Sequence, residues 1–280
     1  MRQASSQSAV KPPSPPCTHF SVPEPLWAPL IVALLAEGGA WWLLPTSIAA
    51  ALGVLAAIAL TQPLVLRSAG GEAPALAAAA VARALPFRFW IWVVFALLYG
   101  ICETLFGNWG TVYLHQQRAL ADSTANLALA VFWAAVTVGR LVVAVISARI
   151  PPLVIFRALP VLIAVALVGV ALASGAAFGV AAFALAGLAC SACLPLSIGT
   201  ASAETPRFVE TASGWMVASY MMGYGIGAFA VGPLRQLADL QLSDVYLGAT
   251  AIAVVLTLLA NLLARGPHNA PDTVASEARQ

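Results

Sequence analysis

One carboxylate, Glu103, interrupts a stretch that is otherwise apolar enough to cross a membrane. Between Phe89 and Gln117 it is the only residue with a formal charge at neutral pH, when His115 is counted as neutral. An ionisable side chain in a spanning helix costs roughly 3 kcal/mol on insertion scales, so such groups are rare and usually face protein or a watery cavity. A buried acid whose protonation changes is what a proton-coupled carrier needs.

Other groups with useful chemistry follow on the same predicted helix. Tyr99 lies four residues before Glu103 and so shares its face. Asn108 offers a donor and an acceptor, and Trp109 offers an apolar face of the kind on which sugars stack. We therefore predict Tyr99, Asn108 and Trp109 as solute-binding residues, although tryptophan is also enriched at membrane interfaces for its own amphipathic reasons.

The depth of each acid can be estimated from helical rise. Glu103 lies 14 residues past Phe89, roughly 21 Å along a helix, which predicts the outer third of the bilayer. Glu37 lies ten residues past Trp27, about 15 Å deep and nearer the midplane. Each acid has two interpretations: a cavity-facing proton site, or a group that packs against or hydrogen-bonds to neighbouring helices.

Aromatic residues in two other apolar stretches are further candidates for solute binding. Trp133 lies in one stretch, and Trp215, Tyr220 and Tyr224 lie in another that is rich in glycine. Small residues let membrane helices approach and slide, which suits a moving helix. The same residues also suit a static, tight helix crossing.

The sequence predicts no catalytic residue, metal site or cofactor. Cys190 and Cys193 have the C-x-x-C spacing of metal and redox sites, but they fall inside a predicted continuous apolar helix without a nearby histidine or acid. We therefore expect them to be small packing residues. Ser191, Ser197 and Thr200 are expected to bond to the backbone rather than to a solute.

Composition places the chain in lipid rather than water. Of its 280 residues, 61% are hydrophobic and 9% are charged, and the mean hydropathy is +0.91. Soluble domains carry about 25% charged residues. The net charge of +2 is small and scattered, so it gives no reason to expect nucleic acid as a partner.

We predict an all-α integral membrane protein with about eight transmembrane helices. A spanning helix needs about 20 mostly apolar residues, and long unbroken apolar runs exclude the alternating strands of a barrel. The predicted spans are 26–44, 45–66, 87–109, 124–146, 152–171, 175–198, 212–234 and 245–263.

The basic residues predict the orientation. With the N-terminus inside, only Arg118 and Arg235 fall outside. The other eleven fall on the cytoplasmic side: Arg2, Lys11, Arg67, Arg83, Arg88, Arg140, Arg149, Arg157, Arg207, Arg265 and Arg279. Both termini are therefore expected to be cytoplasmic, in a multi-pass protein of the cell (inner) membrane.

Three motifs resemble the major facilitator superfamily, particularly the sugar porters around fucose permease. They are Y-G-I-C-E-T-x-x-G-N-W at 99–109, F-W-x-x-x-T-x-G-R at 132–140, and S-G-W, M-G-Y-G-I-G and G-P-L within 213–234; W-W-x-L-P at 41–45 adds weaker support. The resemblance implies that the last six spans are similar to helices seven to twelve of such a carrier, its C-terminal half. It also implies that Gly139 and Arg140 belong to a gating motif, whereas from position alone Arg140 is equally a positive-inside anchor.

Composition and the resemblance together divide the chain into five segments. Residues 1–25 would be a disordered cytoplasmic tail, 26–66 two helices like five and six, 67–86 the central cytoplasmic loop, 87–265 the six-helix bundle and 266–280 a second cytoplasmic tail. Helices one to four of the twelve-helix pattern have no counterpart. Half of the usual cavity wall is therefore missing from this pattern.

Three classes of function remain open at this stage. The first is a proton-coupled secondary transporter, a symporter of a small polar solute such as a sugar, that works by alternating access. The second is a truncated, non-transporting membrane fragment or partner subunit. The third, a membrane-embedded enzyme, is disfavoured because His19, His115 and His268 are far apart and lie outside the spans. The expected partners are a small solute, protons and the lipid bilayer.

Overall fold

The structure, a computed structural model, describes residues 42–61 and 85–265. Within these ranges every regular element is a helix. The elements are α1 (Leu43–Thr61), α2 (Phe87–Gly107), α3 (Gly110–Val112), a π-helical turn (Tyr113–Gln117), α4 (Asp122–Ile146), α5 (Pro152–Ala171), α6 (Ala176–Cys190), α7 (Cys193–Glu204), α8 (Val209–Ala238) and α9 (Leu242–Ala264).

Six helical segments in the described part of the chain are long and apolar enough to cross a membrane. They are α2, α4, α5, α6 with α7 as one segment, α8 and α9. The expectation of an all-helical protein with multiple apolar spans is thus confirmed at this level. Nearly all of the predicted span 26–44 lies outside the described residues. Helix α1 overlaps the predicted span 45–66, and its apolar part, Ala49–Ile58, is shorter than a span.

Side-chain contacts show that α2 and α5 run opposite to the α6–α7 segment and to α9. Arg88, at the start of α2, donates hydrogen bonds to Glu204 at the end of α7 and to the Leu263 carbonyl at the end of α9. At the opposite end, Arg118 and Tyr113 both donate to the Ala171 carbonyl, where α5 ends. We call these the Arg88 end and the Arg118 end of the bundle.

The predicted sixth span is not a continuous helix. It extends from Ala176 to Glu204 and is interrupted at Ser191 and Ala192, close to its middle. Pro195 explains the break, because proline has no N–H to bond the carbonyl of residue 191 and its ring clashes with that carbonyl. The expectation that Cys190 and Cys193 share an uninterrupted helix is therefore wrong: they flank the interruption.

Helices α2 and α8 cross with their backbones in contact. A Cβ atom at Gly223 would overlap the Leu97 carbonyl, and one at Gly100 would lie 2.8 Å from the Tyr224 nitrogen. Gly227 lies against Thr104 in the same crossing. We call Gly100, Gly223 and Gly227 the glycine seam; it brings the Glu103 region of α2 against the tyrosines of α8.

A cluster of buried aromatic rings fills the centre of the bundle. The Phe106 ring centroid lies 5.8 Å from Phe132, 6.1 Å from Phe183 and 6.2 Å from Tyr246. These rings come from four different spans, so one residue of α2 packs against α4, α6 and α9 at once. The cluster holds α2 at the centre of the fold.

Candidate functional site

Glu103 is buried in the last two turns of α2. Its exposed fraction is 5%. Helix α2 is followed by a turn at Asn108 and Trp109 and then by helical residues as far as Gln117. Glu103 thus lies 16 residues after Phe87 and four before Gly107, where the candidate span ends. Its predicted position in the outer third of the membrane stays a prediction.

The Glu103 carboxylate lies among tyrosines and cysteines from three spans. It is close enough to interact electrostatically with Tyr99 on its own helix and with Cys190 and Cys193 on either side of the interruption. Tyr220 of α8 forms a side-chain hydrogen bond with Glu103. Glu103 therefore lies between the interrupted span and α8.

Three tyrosine rings form a row beside Glu103. Tyr99 and Tyr220 are stacked with centroids 5.8 Å apart, and Tyr220 and Tyr224 follow at 6.0 Å. We call Tyr99, Tyr220 and Tyr224 the tyrosine row. The structure thus brings together three of the predicted solute-binding residues and the predicted proton site Glu103.

The interrupted helix receives side-chain donors from two neighbouring helices. Tyr99 donates its hydroxyl to the Cys190 carbonyl at 2.8 Å, and Arg140 Nε donates to the Ser191 carbonyl at 3.2 Å. These carbonyls belong to the region where the backbone ladder is broken, and buried carbonyls need partners. Gly139 permits the approach of α4, because a Cβ there would lie 2.6 Å from Ser191 Cβ.

Arg140 is therefore not only an anchor at the membrane surface. Its guanidinium contacts the α6–α7 segment near the middle of that segment, and Arg140 is partly buried.

Ser191, Ser197 and Thr200 each donate to a backbone carbonyl three or four residues earlier. Their expected role as backbone-bonded residues is confirmed.

Asn108, Trp109 and Trp133 lie beyond the tyrosine row, towards the Arg118 end. Asn108 is exposed, and its Oδ1 accepts a hydrogen bond from the Tyr224 hydroxyl at 3.1 Å. Trp109 Nε1 donates to the Gly227 carbonyl at 3.0 Å, so this indole group also fastens α8. The Trp133 ring lies close to Gly107: a Cβ atom added at Gly107 would lie 3.4 Å from Cζ2 of Trp133.

Two predicted site residues, Trp215 and Glu37, are not placed beside Glu103. The Trp215 ring packs against Trp90 with centroids 5.4 Å apart, near the Arg88 end. Trp90 precedes Glu103 by 13 residues on α2, about 20 Å of helical rise. Glu37 lies outside the described residues, so its predicted role as a second proton site stays a prediction.

An ion pair at the Arg88 end was not singled out from the sequence. Arg88 Nε lies 2.9 Å from Glu204 Oε2, and Arg88 Nη2 donates to Glu204 Oε1 at 3.0 Å. Trp92 Nε1 donates to the same carboxylate at 3.1 Å. The sequence indicates only that Arg88 and Glu204 lie at the ends of predicted spans on the same side of the membrane. Nothing in their spacing identifies them as partners.

At the Arg118 end, Arg118 and Gln117 bond to neutral groups. Arg118 Nε donates to the Tyr113 hydroxyl at 2.7 Å, and Gln117 bonds to Gln241 and to the Ser243 nitrogen. Burial raises the pKa of Tyr113, and the neighbouring Arg118 guanidinium opposes that rise. The hydroxyl therefore stays protonated and donates to the Ala171 carbonyl at neutral pH.

An apolar groove and three buried cysteines are further features of the described residues. An apolar groove of about 160 Å³ lies among Phe87, Trp90, Ile91, Val94 and Leu259, a lining that suits a lipid chain. Cys102, Cys190 and Cys193 are all buried. Among the described residues no group of three or more His, Cys, Asp or Glu side chains is arranged to hold a metal ion.

No protein-family model, curated protein or solved structure matches this chain.

Proposed function

We propose that this protein is a proton-coupled secondary transporter of a small polar solute that works by alternating access, as its resemblance to major facilitator carriers implies. The observation that carries the proposal is the burial of Glu103 beside the interruption at Ser191 and Ala192, which lies near the middle of the apolar segment Ala176–Glu204. Intramembrane acids and broken helices are both expensive in lipid. Their coincidence at one place is therefore a reason to infer function.

The interrupted span supplies a part that can change shape. In secondary transporters, discontinuous helices commonly form the site near the bilayer midplane, where half-helix ends and unwound carbonyls face the bound species. Here helix α7 begins at Cys193, next to Glu103. A charged carboxylate interacts favourably with the N-terminal end of a helix, whereas a protonated one does so much less. Proton binding at Glu103 would therefore change the energy of this junction.

Gating follows from the bonds that tie the junction to its neighbours. Tyr99 and Arg140 donate to adjacent carbonyls, Cys190 and Ser191, at the break. Because each bond links a different helix to the same two residues, a shift of the junction changes both links together. We propose Arg140 and Gly139 as gating residues on this basis.

We also propose that the Arg88 end faces the cytoplasm. Arg88, Arg149, Arg157, Arg207 and Arg265 lie at or next to helix termini on that side. Arg118 and Arg235 are the arginines at the opposite end of the described bundle. An excess of positive charge on one side is typical of the cytoplasmic face.

The test is solute-driven proton movement in vesicles that contain the purified protein and the pH dye pyranine. A panel of neutral monosaccharides, including L-fucose, and small organic cations, including choline, is added outside. We expect at least one solute to change the internal pH. Glu103→Gln should reduce that change at least tenfold, because an amide cannot exchange a proton.

Glu210→Gln is the matched control, since Glu210 is an exposed acid in the first turn of α8. We expect this variant to retain the full pH change. Undiminished movement in Glu103→Gln, or no pH change with any solute of the panel, would contradict the proposal. Equal thermal stability of the two variants in detergent shows that a loss comes from the site rather than from misfolding.

A further inference from the structure

We infer that an anionic phospholipid binds at the Arg88 end of the bundle, with an acyl chain in the apolar groove between α2 and α9 and its phosphate beside the start of α2 and Arg265. Such a site is independent of solute transport and so goes beyond the proposed function. Three features of the structure support it: the lining of the groove, its position at the helix ends, and the distribution of charge along the bundle.

The groove is formed by one stripe of α2 and a leucine of α9. Phe87, Trp90, Ile91 and Val94 lie at positions i, i+3, i+4 and i+7 of α2, and Leu259 forms the opposite side. Phe87 is 81% exposed and Val94 is 49% exposed, so the groove opens on the outer surface of the bundle. A volume of about 160 Å³ with only apolar side chains around it accepts hydrocarbon and offers nothing to a polar solute.

Two tryptophans indicate that the groove lies near the level of the lipid headgroups. Trp90 lines the groove, and its ring packs against Trp215 of α8, which is 39% exposed. Tryptophan is enriched where the apolar core of a membrane meets the headgroups. A chain in this groove would therefore have its headgroup beside the helix ends.

The first turn of α2 creates a positive potential at the mouth of the groove. Its N-cap, Pro86, makes no side-chain cap hydrogen bond, and the turn contains no acid. The first N–H groups of a helix have no partner within the helix and favour a nearby anion. Because Phe87 is both the first residue of α2 and part of the groove, a phosphate above the chain would lie beside these groups.

The end of α9 adds an arginine to the other wall of the groove. Leu263 lies one turn after the groove residue Leu259, and its carbonyl accepts a hydrogen bond from Arg88 of α2. Arg265 follows as the C-cap of α9 and is exposed. Guanidinium groups bind phosphate through paired hydrogen bonds. A basic site between two membrane helices is typical of a place that binds anionic headgroups.

Charge is distributed unevenly between the two ends of the described bundle. The Arg88 end carries five arginines and two glutamates: Arg88, Arg149, Arg157, Arg207, Arg265, Glu204 and Glu210. The Arg118 end carries two arginines and three aspartates: Arg118, Arg235, Asp122, Asp239 and Asp244. The groove is therefore at the end that attracts negative headgroups, and charge complementarity favours an anionic lipid over a zwitterionic one.

The test uses the tryptophan fluorescence of the protein in phosphatidylcholine nanodiscs. A minor fraction of the lipid carries bromine on its acyl chains, which quenches an indole in contact with it. This brominated lipid is either phosphatidylglycerol, which is anionic, or phosphatidylcholine. We expect brominated phosphatidylglycerol to quench at least twofold more than the same fraction of brominated phosphatidylcholine, because it concentrates in the groove. Equal quenching by the two lipids would overturn the inference.

Trp90→Phe shows whether the excess quenching arises in the groove. Phenylalanine keeps an aromatic ring against Trp215 but is not an indole, so the excess should fall by at least half. Trp133→Phe is the matched control, because Trp133 lies on α4 close to Gly107, the far end of α2 from the groove. The full excess should persist in this control. An excess that survives Trp90→Phe undiminished would show that the lipid binds elsewhere and that the groove is not its site.

Arg265→Gln tests the contact with the headgroup. One basic side chain near a membrane surface favours an anionic lipid about fivefold, so the preference for phosphatidylglycerol at the groove should fall about fivefold. The control, Arg149→Gln, changes an exposed arginine at the same end that follows α4, a helix that does not line the groove. Its preference should stay within twofold of the wild type. A similar fall in both variants would mean general attraction to surface charge, which contradicts a defined site.

Discussion

Helix α2 meets two neighbours in opposite ways. Against α8 its backbone lies in direct contact along the glycine seam, and this is the most extensive helix pairing among the described residues. Against the interrupted span its main attachments are three side chains: Arg88 and Trp92 bind Glu204, and Tyr99 binds the Cys190 carbonyl. One side is fixed by shape, and the other is fixed by polar contacts.

The difference indicates which parts move together. Two backbones in contact have one well-packed arrangement, because interiors and helix crossings do not deform continuously. Hydrogen bonds and ion pairs can exchange partners with water or with other side chains at a small net change in free energy. We therefore expect α2 and α8 to move as one body, with α6 and α7 shifting against them.

The glycine seam should give the largest effect on stability. Gly223→Ala would push a methyl group into the Leu97 carbonyl, and overpacking of this kind costs about 3 kcal/mol in the free energy of unfolding. Unfolding in mixed SDS micelles, followed by far-UV circular dichroism, measures the loss. Gly225→Ala is the control: no heavy atom lies within 4 Å of its added Cβ, so stability should stay equal or rise by about 0.5 kcal/mol.

A similar loss in both alanine variants would show that the seam is not fixed by close backbone contact. The comparison between the two sides of α2 would then fail on the α8 side. A loss of stability in Gly223→Ala but not in Gly225→Ala would establish that close backbone contact fixes α2 against α8.

Tyr99→Phe should have an intermediate effect on stability and a larger one on transport. It deletes the hydrogen bond to the Cys190 carbonyl, which contributes about 1 kcal/mol. Tyr246→Phe is the matched control, because the buried Tyr246 hydroxyl donates to the Leu105 carbonyl at 2.6 Å, away from the interruption. Both variants should lose similar stability in the micelle assay, whereas only Tyr99→Phe should slow solute-driven proton movement in vesicles. An equal effect on transport would remove the special role of the interrupted span.

The ion pair at the Arg88 end should give the smallest effect. A double-mutant cycle with Arg88→Gln and Glu204→Gln isolates the coupling between them, and we expect about 0.7 kcal/mol for this half-buried, bidentate pair. The control cycle uses His115 and Asp122, which lie 2.8 Å apart with side chains 52% and 79% exposed. That exposed pair should couple more weakly; a coupling as strong as that of Arg88 and Glu204 would contradict the proposed attachment.

The sequence allowed the six apolar helices of spanning length from residue 87 onwards to be predicted. Each span needs only local information, since a helix satisfies its own backbone groups and its apolar length shows in the sequence. Glu103 was identifiable for the same reason: a lone charge in an apolar run stands out without any knowledge of neighbours. Its depth stays a prediction, because depth depends on where the bilayer lies along α2.

Pairings between helices could not be predicted in this way. Pro195 was visible, but the break it causes at Ser191 and Ala192 was missed because the surrounding run is apolar throughout. Trp215 and Tyr220 are close in sequence and similar in type, yet one packs on Trp90 and the other on Tyr99. That difference depends on where α2 crosses α8.

Sequence by itself therefore determined that the chain forms helices apolar enough to cross a membrane, roughly where they fall, and that one acid lies among apolar residues, because hydrophobicity and charge act residue by residue. Tertiary structure alone decided that Glu103 meets the tyrosine row beside a broken helix, because that meeting depends on backbone contact at Gly100 and Gly223, 123 positions apart in the chain.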